Sequence, residues 1–260
     1  RWFTNDTLPA YPVLSSVIPY LDDGFTLVSG TSPGRPLTLL WGTIGDRLAY
    51  LHLDRMHLSE YVHAESPNAI QTAWTEFIQT LRNGTIDRLF IDLRSNPGGN
   101  FADLPLLLSP LLETPLYLGF LQWKVGPRPT EVSSWAALTL PPQEPNRPFT
   151  GRVPVLTDRY TASIAEICAL GVQRLEQGWV VGEPTYGATG MQLDLGLPYT
   201  SVQHWDPYLK VSLSDHRFLT GQPESLEGRG LRPDFPVART GNATSLPQDP
   251  FLETAFTQTR

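Results

Sequence analysis

A chain of 260 residues, 40% of them hydrophobic, can bury a substantial core as one large domain or a domain with a small lobe. Its net charge of −7 and the lack of any Lys/Arg-rich run argue against nucleic acid or an anionic membrane as partner. No apolar run approaches the ~20 residues of a membrane span, and the single cysteine, Cys168, excludes an intramolecular disulfide.

In chain order, residues 11–19 read as a helix or a strand. Residues 26–29 and 37–41 form a hairpin around Ser32-Pro33-Gly34. Residues 47–53 read as a strand. Ser66 and Pro67 then open a helix as N-cap and first residue. Its apolar positions Ile70, Trp74, Phe77, Ile78 and Leu81 share one face, and Asn83-Gly84 ends it. Residues 88–93 are a short apolar strand, 100–112 a proline-broken helix and 116–125 an aromatic-rich strand. The proline-rich stretch 127–150 reads as a surface excursion. Residues 153–156 are a buried-type strand, 162–177 a helix and 179–181 a strand. Strands near 192–197 and 209–213 follow, and a last helix is capped by Asp249. This alternation predicts an α/β fold with a mostly parallel sheet flanked by helices. Three N-x-[ST] triplets, at Asn5, Asn83 and Asn242, are short enough to occur by chance.

Three segments carry candidate chemistry. In F-I-D-L-R-S-N-P-G-G, residues 90–99, a buried strand runs into a Gly98-Gly99 turn, whose backbone N–H groups can approach a ligand. Such donors suit a developing oxyanion, and the same pattern also serves an ordinary strand-to-helix turn. In V-L-T-D-R-Y-T-A-S-I-A-E-I, residues 155–167, a strand leads to a helix that starts at Ser163. That placement exposes a hydroxyl at the positive end of a helix dipole, and it equally suits a helix cap completed by Glu166. The third, V-V-G-E-P-T-Y-G-A-T-G over residues 180–190, is a Gly-rich loop without the Gly-Lys-Ser/Thr ending of a phosphate loop.

Together these segments resemble the tail-specific (carboxyl-terminal processing) serine protease family. Its members carry a D-L-R-x-N-x-G-G turn, an S-A-S-x-x-E-like helix start and a G-E-x-T-x-G loop, in that order. The segment E-G-R-G-L-R-P-D, residues 227–234, is similar to the family's closing G-I-x-P-D motif, so the resemblance spans about residues 47–236. It implies a ClpP/crotonase-like core over 46–260 beside a small N-terminal lobe over 1–45. It also implies serine-type hydrolysis of a peptide or protein substrate without cofactor or metal, and an extracytoplasmic setting. By the same resemblance Ser163 is the nucleophile, and the oxyanion donors are backbone N–H groups of Gly98-Gly99 and Ile164. Substrate chains in the family often add as a strand beside the sheet.

The chain departs from the family at the proton acceptor. Many members place a lysine in the third loop, where this chain has Ala188, while Gln192 matches a supporting glutamine. Members resembling tricorn protease use a histidine in a D-G-H-T-like turn, where this chain has Phe25. Of the five histidines, His52, in a Y-x-H segment similar to one in tricorn-like members and on a central strand, is the candidate replacement base, against the competing reading of a satisfied core or substrate-contacting histidine. The remaining four, His57 included, read as surface residues. Glu227 is a candidate to orient a base or close the site. Only 27 residues separate Phe25 from His52, too few for the family's usual PDZ module of ~80 residues. The alternative function is an inactive protease-like scaffold that binds peptides or lipids; residues 116–123 would line its apolar cleft, or form a plain core strand.

Overall fold

The computed structural model of the chain describes residues 10–31, 35–123, 125–126, 128, 130–143, 147–190, 192–196, 210–214, 216–219, 226–237 and 249–258. Helix α1 (Ala10–Val17) precedes β1 (Thr26–Gly30), β2 (Leu37–Ile44) and β3 (Leu48–Leu53). Next come α2 (Leu58–Val62), α3 (Ala69–Arg82), β4 (Arg88–Asp92), α4 (Asp103–Leu108), β5 (Leu116–Trp123), β6 (Ala136–Leu140) and β7 (Val153–Thr157). Then follow α5 (Ile164–Gln173), β8 (Gly178–Gly182), β9 (Gln192–Gly196), β10 (Lys210–Ser214), β11 (His216–Leu219), β12 (Phe235–Pro236) and α6 (Pro250–Thr257).

A seven-stranded sheet in the order β1-β2-β3-β4-β7-β8-β12 forms the frame. The first three strands pair antiparallel, and every pairing from β3 to β12 is parallel. Central strands β3, β7 and β8 are buried at every position, because helices cover both faces. On one face Leu51, Leu53, Ile91 and Val155 pack with Phe77 of α3, Leu108 of α4 and Ile167 of α5. On the other, Tyr50, Phe90, Leu156 and Val181 pack with Leu14 of α1 and Phe251 of α6. The described part of residues 1–45, expected as a small N-terminal lobe, thus supplies two strands to the main sheet and a helix to its second face.

Three local expectations shift. The α3 cap is Asn68, not Ser66: Asn68 has extended backbone and its side chain accepts from Gln71 N–H at 2.9 Å. The excursion 127–150 contains β6, which pairs antiparallel with β5 in a second sheet of order β11-β5-β6. The predicted cleft lining on β5 divides: Leu118 is buried, whereas Tyr117, Phe120 and Trp123 are exposed, and a register shift between Tyr117 and Gly119 breaks simple alternation along the strand.

The second face holds a buried charge network. Arg94, 3% exposed, donates to Asp92 from Nε at 3.0 Å and to both Asp249 oxygens from Nη1 at 3.0 and 2.8 Å. Tyr50 OH donates to Asp92 Oδ2 at 2.6 Å, and the guanidinium lies 4.9 Å from the Phe251 ring centre. Asp249 also caps α6 by accepting from Phe251 N–H at 3.0 Å. Burial alone would raise the Asp92 carboxyl, but the Arg94 guanidinium and its hydrogen bonds outweigh it and hold the group below the usual carboxylate range.

Candidate active site

Strands β4 and β7 lie side by side, and the turns beyond their carboxyl ends are stapled together. Asp158 Oδ1 accepts from Ser95 N–H at 2.9 Å, and Thr161 Oγ1 donates to Leu93 O at 2.8 Å. Ala162 N–H donates to Asn96 O at 2.9 Å, while Asn96 Nδ2 reaches Leu53 O of β3 at 2.9 Å. These bonds bring the Gly98-Gly99 turn against the start of α5. A Cβ built on Gly98 would stand 2.6 Å from Ser163 Cβ and 3.1 Å from Ile164 N. Gly98 has φ 91°, so both conformation and space require glycine there.

Ser163 itself has φ 57° and ψ −126°, a conformation that costs a non-glycine residue about 1–3 kcal/mol. It is half-buried at the N-terminus of the ten-residue α5. A strained serine on a strand-to-helix turn presents its hydroxyl outward, toward the positive helix end. Glu166, wholly buried, holds that conformation: Oε2 accepts from Ser163 N–H at 2.9 Å and Ala188 N–H at 2.9 Å. Its Oε1 accepts from Thr185 Oγ1 at 2.5 Å and Gly187 N–H at 2.7 Å. Burial raises the Glu166 carboxyl, and these four donors pull it back. The capping residue and the third loop are therefore one hydrogen-bonded unit.

The expected site residues separate on this frame. Gly98 N–H donates to Asn96 Oδ1 at 2.9 Å, so the turn commits that donor locally. Gly98 serves instead by leaving Ile164 N–H uncovered. Gly99 N–H has no hydrogen-bond partner among the described residues. Ile164, first residue of α5, has an N–H that no helical carbonyl can reach. Glu227 Oε2 accepts from Thr189 N–H at 2.8 Å and Gly190 N–H at 3.0 Å, so it fastens the end of the third loop. Gln192 begins β9, and its side chain lies outside the described residues, as do Asn5, His204 and Asn242.

His52 does not meet the expectation of a base. Its side chain shares the face of Tyr50, opposite the face on which α5 packs. It is fully buried, donates Nδ1–H to Asp92 O at 3.1 Å, and leaves Nε2 without a partner. Burial outweighs the nearby carboxylates and lowers its pKa, so the ring is neutral. An unfolded chain takes up this proton near pH 6.5, whereas the fold resists it. Stability from this group is thus complete above that pH and is lost as pH falls below it. Melting curves from pH 7 to 5 are expected to drop less for His52→Gln than for the wild type.

Phe25 is also remote. It precedes β1, level with Gly42 on β2, and β1 stands four strand spacings from β7, roughly 19 Å. Cys168 is fully buried, and burial pushes its thiol up to about 12, which removes it as a nucleophile. The expectation of surface histidines fails at His57, which is 7% exposed with its ring against Gly99. Sequence reading missed it because the signal is a contact between residues 57 and 99.

A family model for peptidase family S41 matches residues 47–237. Among solved structures, a candidate peptidase from Parabacteroides merdae aligns with TM-score 0.67 at 20% identity, covering 93% of this chain and 68% of that one. Mature CPAF complexed with lactacystin aligns with TM-score 0.61 at 17% identity, covering 90% and 56%. The photosystem II D1 C-terminal processing protease aligns with TM-score 0.51 at 18% identity, covering 89% and 51%. The chain therefore spans between about half and two thirds of these neighbours, and at such identities the likeness concerns the fold.

Proposed function

This chain belongs to peptidase family S41, and we propose that it hydrolyses peptide bonds with Ser163 as nucleophile. The observation that carries the reading is the strained Ser163 at the start of α5, packed against a turn whose glycines keep backbone donors open. Ser163 Oγ attacks the scissile carbonyl carbon, and the carbonyl electron pair moves onto oxygen. Gly99 N–H and Ile164 N–H stabilise that oxyanion, supported by the α5 dipole. Collapse breaks the C–N bond, the amine leaves with a proton, and water then releases the acyl group from Oγ.

The third loop, tied by Glu166 and Glu227, forms a wall beside the serine. Its Ala188 carries no group able to take a proton, so the base lies elsewhere. The preferred substrate is an extended, unfolded peptide segment, because an extended chain can present its carbonyl to backbone donors. We place the action outside the cytoplasm on the family resemblance alone.

Incubation with unfolded β-casein provides the test. Cleavage is expected across a broad neutral pH range and should stop after treatment with a fluorophosphonate. Intact casein after prolonged incubation with folded protein, over several other unfolded substrates as well, would contradict the proposal.

A further inference from the structure

The Gly98-Gly99 turn has a second neighbour. Met56 N–H donates to Gly98 O at 3.0 Å and Asn100 N–H donates to Met56 O at 2.5 Å, so Met56 bridges Gly99 like a short parallel strand. A Cβ on Gly99 would stand 2.2 Å from Met56 O and 2.8 Å from His57 Cε1. Ser163 Cβ therefore lies against Gly98 and the His57 ring against its neighbour Gly99 in the same turn. Asp103 fixes the next residues, its carboxylate accepting from Leu58 N–H at 2.7 Å and Ser59 N–H at 2.8 Å.

The two ring nitrogens of His57 have different surroundings. Nδ1 is buried and lies 3.4 Å from Glu60 Oε1, within ion-pair range although outside hydrogen-bond geometry. Glu60 is itself held by Arg35 N–H, which donates to Oε2 at 2.7 Å. Nε2 makes no hydrogen bond to a described residue, and unlike Nδ1 it is not sealed from solvent. A carboxylate behind one nitrogen and an open second nitrogen is the arrangement of an oriented general base. The other candidates fail on position or chemistry: His52 faces the opposite side of the sheet, Ala188 has only a methyl group, and the Glu166 oxygens already accept four donors.

We infer that His57 is the catalytic base for Ser163 and that Glu60 is the residue positioning its ring; this rests on the peptidase reading above. As the Oγ–carbon bond forms, the hydroxyl proton passes to Nε2, directly or across one water. The imidazolium then returns it to the amine nitrogen as the C–N bond breaks. The charged groups facing the ring are Glu60 on α2, Arg35 before β2 and Arg55 after β3, with Asp103 of α4 beneath the adjoining N–H groups. Burial lowers the imidazole, Glu60 raises it, and the two arginines lower it, so the free base prevails at neutral pH.

The experiment is the rate of fluorophosphonate acylation at pH 5 to 9, in the wild type, His57→Gln and Glu60→Gln. In this reaction the P–F bond breaks, the P–Oγ bond forms and the proton goes to the base. The wild-type rate is expected to rise with pH through a midpoint below 6.5 and then level off. His57→Gln is expected to slow acylation about 100- to 10,000-fold and to abolish the pH step, which a merely structural role would not do. Glu60→Gln is expected to keep the step, move it to lower pH and slow the plateau about tenfold. Ser163-dependent labelling of His57→Gln at the wild-type rate and profile would overturn the inference alone. No labelling of folded wild type at any pH would overturn it together with the peptidase reading. Should His57→Gln fail to fold, an unmoved midpoint and rate in Glu60→Gln would overturn the inference.

Discussion

Ser163→Ala is expected to lower peptide hydrolysis by at least about a thousandfold while leaving the fold intact. The loss follows because alanine has no hydroxyl to attack the carbonyl, and the residual rate is what the oxyanion pair alone supplies. The fold should survive because the start of α5 is held through Ser163 N–H to Glu166, a bond that alanine keeps. Alanine also inherits the strain at φ 57°, whereas glycine adopts that conformation freely. Ser163→Gly should therefore be equally inactive and unfold at higher denaturant than Ser163→Ala. Paired activity and urea-unfolding measurements check both halves. Near wild-type activity in Ser163→Ala would remove the nucleophile assignment.

Arg94→Met is expected to destabilise the protein by about 3–5 kcal/mol, read as a lower urea midpoint. The substitution leaves the Asp92 and Asp249 carboxylates buried without their cation. It also loosens the tie between β4 and α6, since Asp249 caps that helix. In the wild type the Asp92 carboxyl is depressed, so its stabilisation is present above the ordinary value of 3.8 and lost as pH falls below it. In the variant the unpaired carboxyl is pushed upward by burial and gains from protonation. The stability gap should therefore narrow between pH 7 and 4. A constant gap across that range would mean that the loss comes from packing rather than from the orphaned charges.

Much of this architecture is legible in the residues. Apolar runs bounded by glycine and proline locate β3, β4, β7 and β8, and helical spacing locates α3. The motif order leads to the Gly98-Gly99 turn and to Ser163 at the head of α5. The face of His52 was not legible. A central strand covered by helices on both faces is buried on both sides, so the largely apolar run around it carries no alternation to say which way each side chain points. The paired strand β6 was hidden by the prolines around it, and its antiparallel pairing with β5 is a non-local contact interrupted by a register shift between Tyr117 and Gly119. His57 was hidden for a different reason. It sits on the short bridge at Met56, set by hydrogen bonds to Gly98 and Asn100 rather than by any local periodicity. The Gly98 role changed because Asn96, two residues earlier, turns its side chain back onto that N–H.

The most direct test of Ser163 as the nucleophile is mass-spectrometric mapping of the adduct formed when the folded chain reacts with a fluorophosphonate. One phosphonyl group per chain, on Ser163, is expected, and none on heat-unfolded protein. An adduct on another residue, or folded protein that stays unmodified, would contradict the nucleophile assignment.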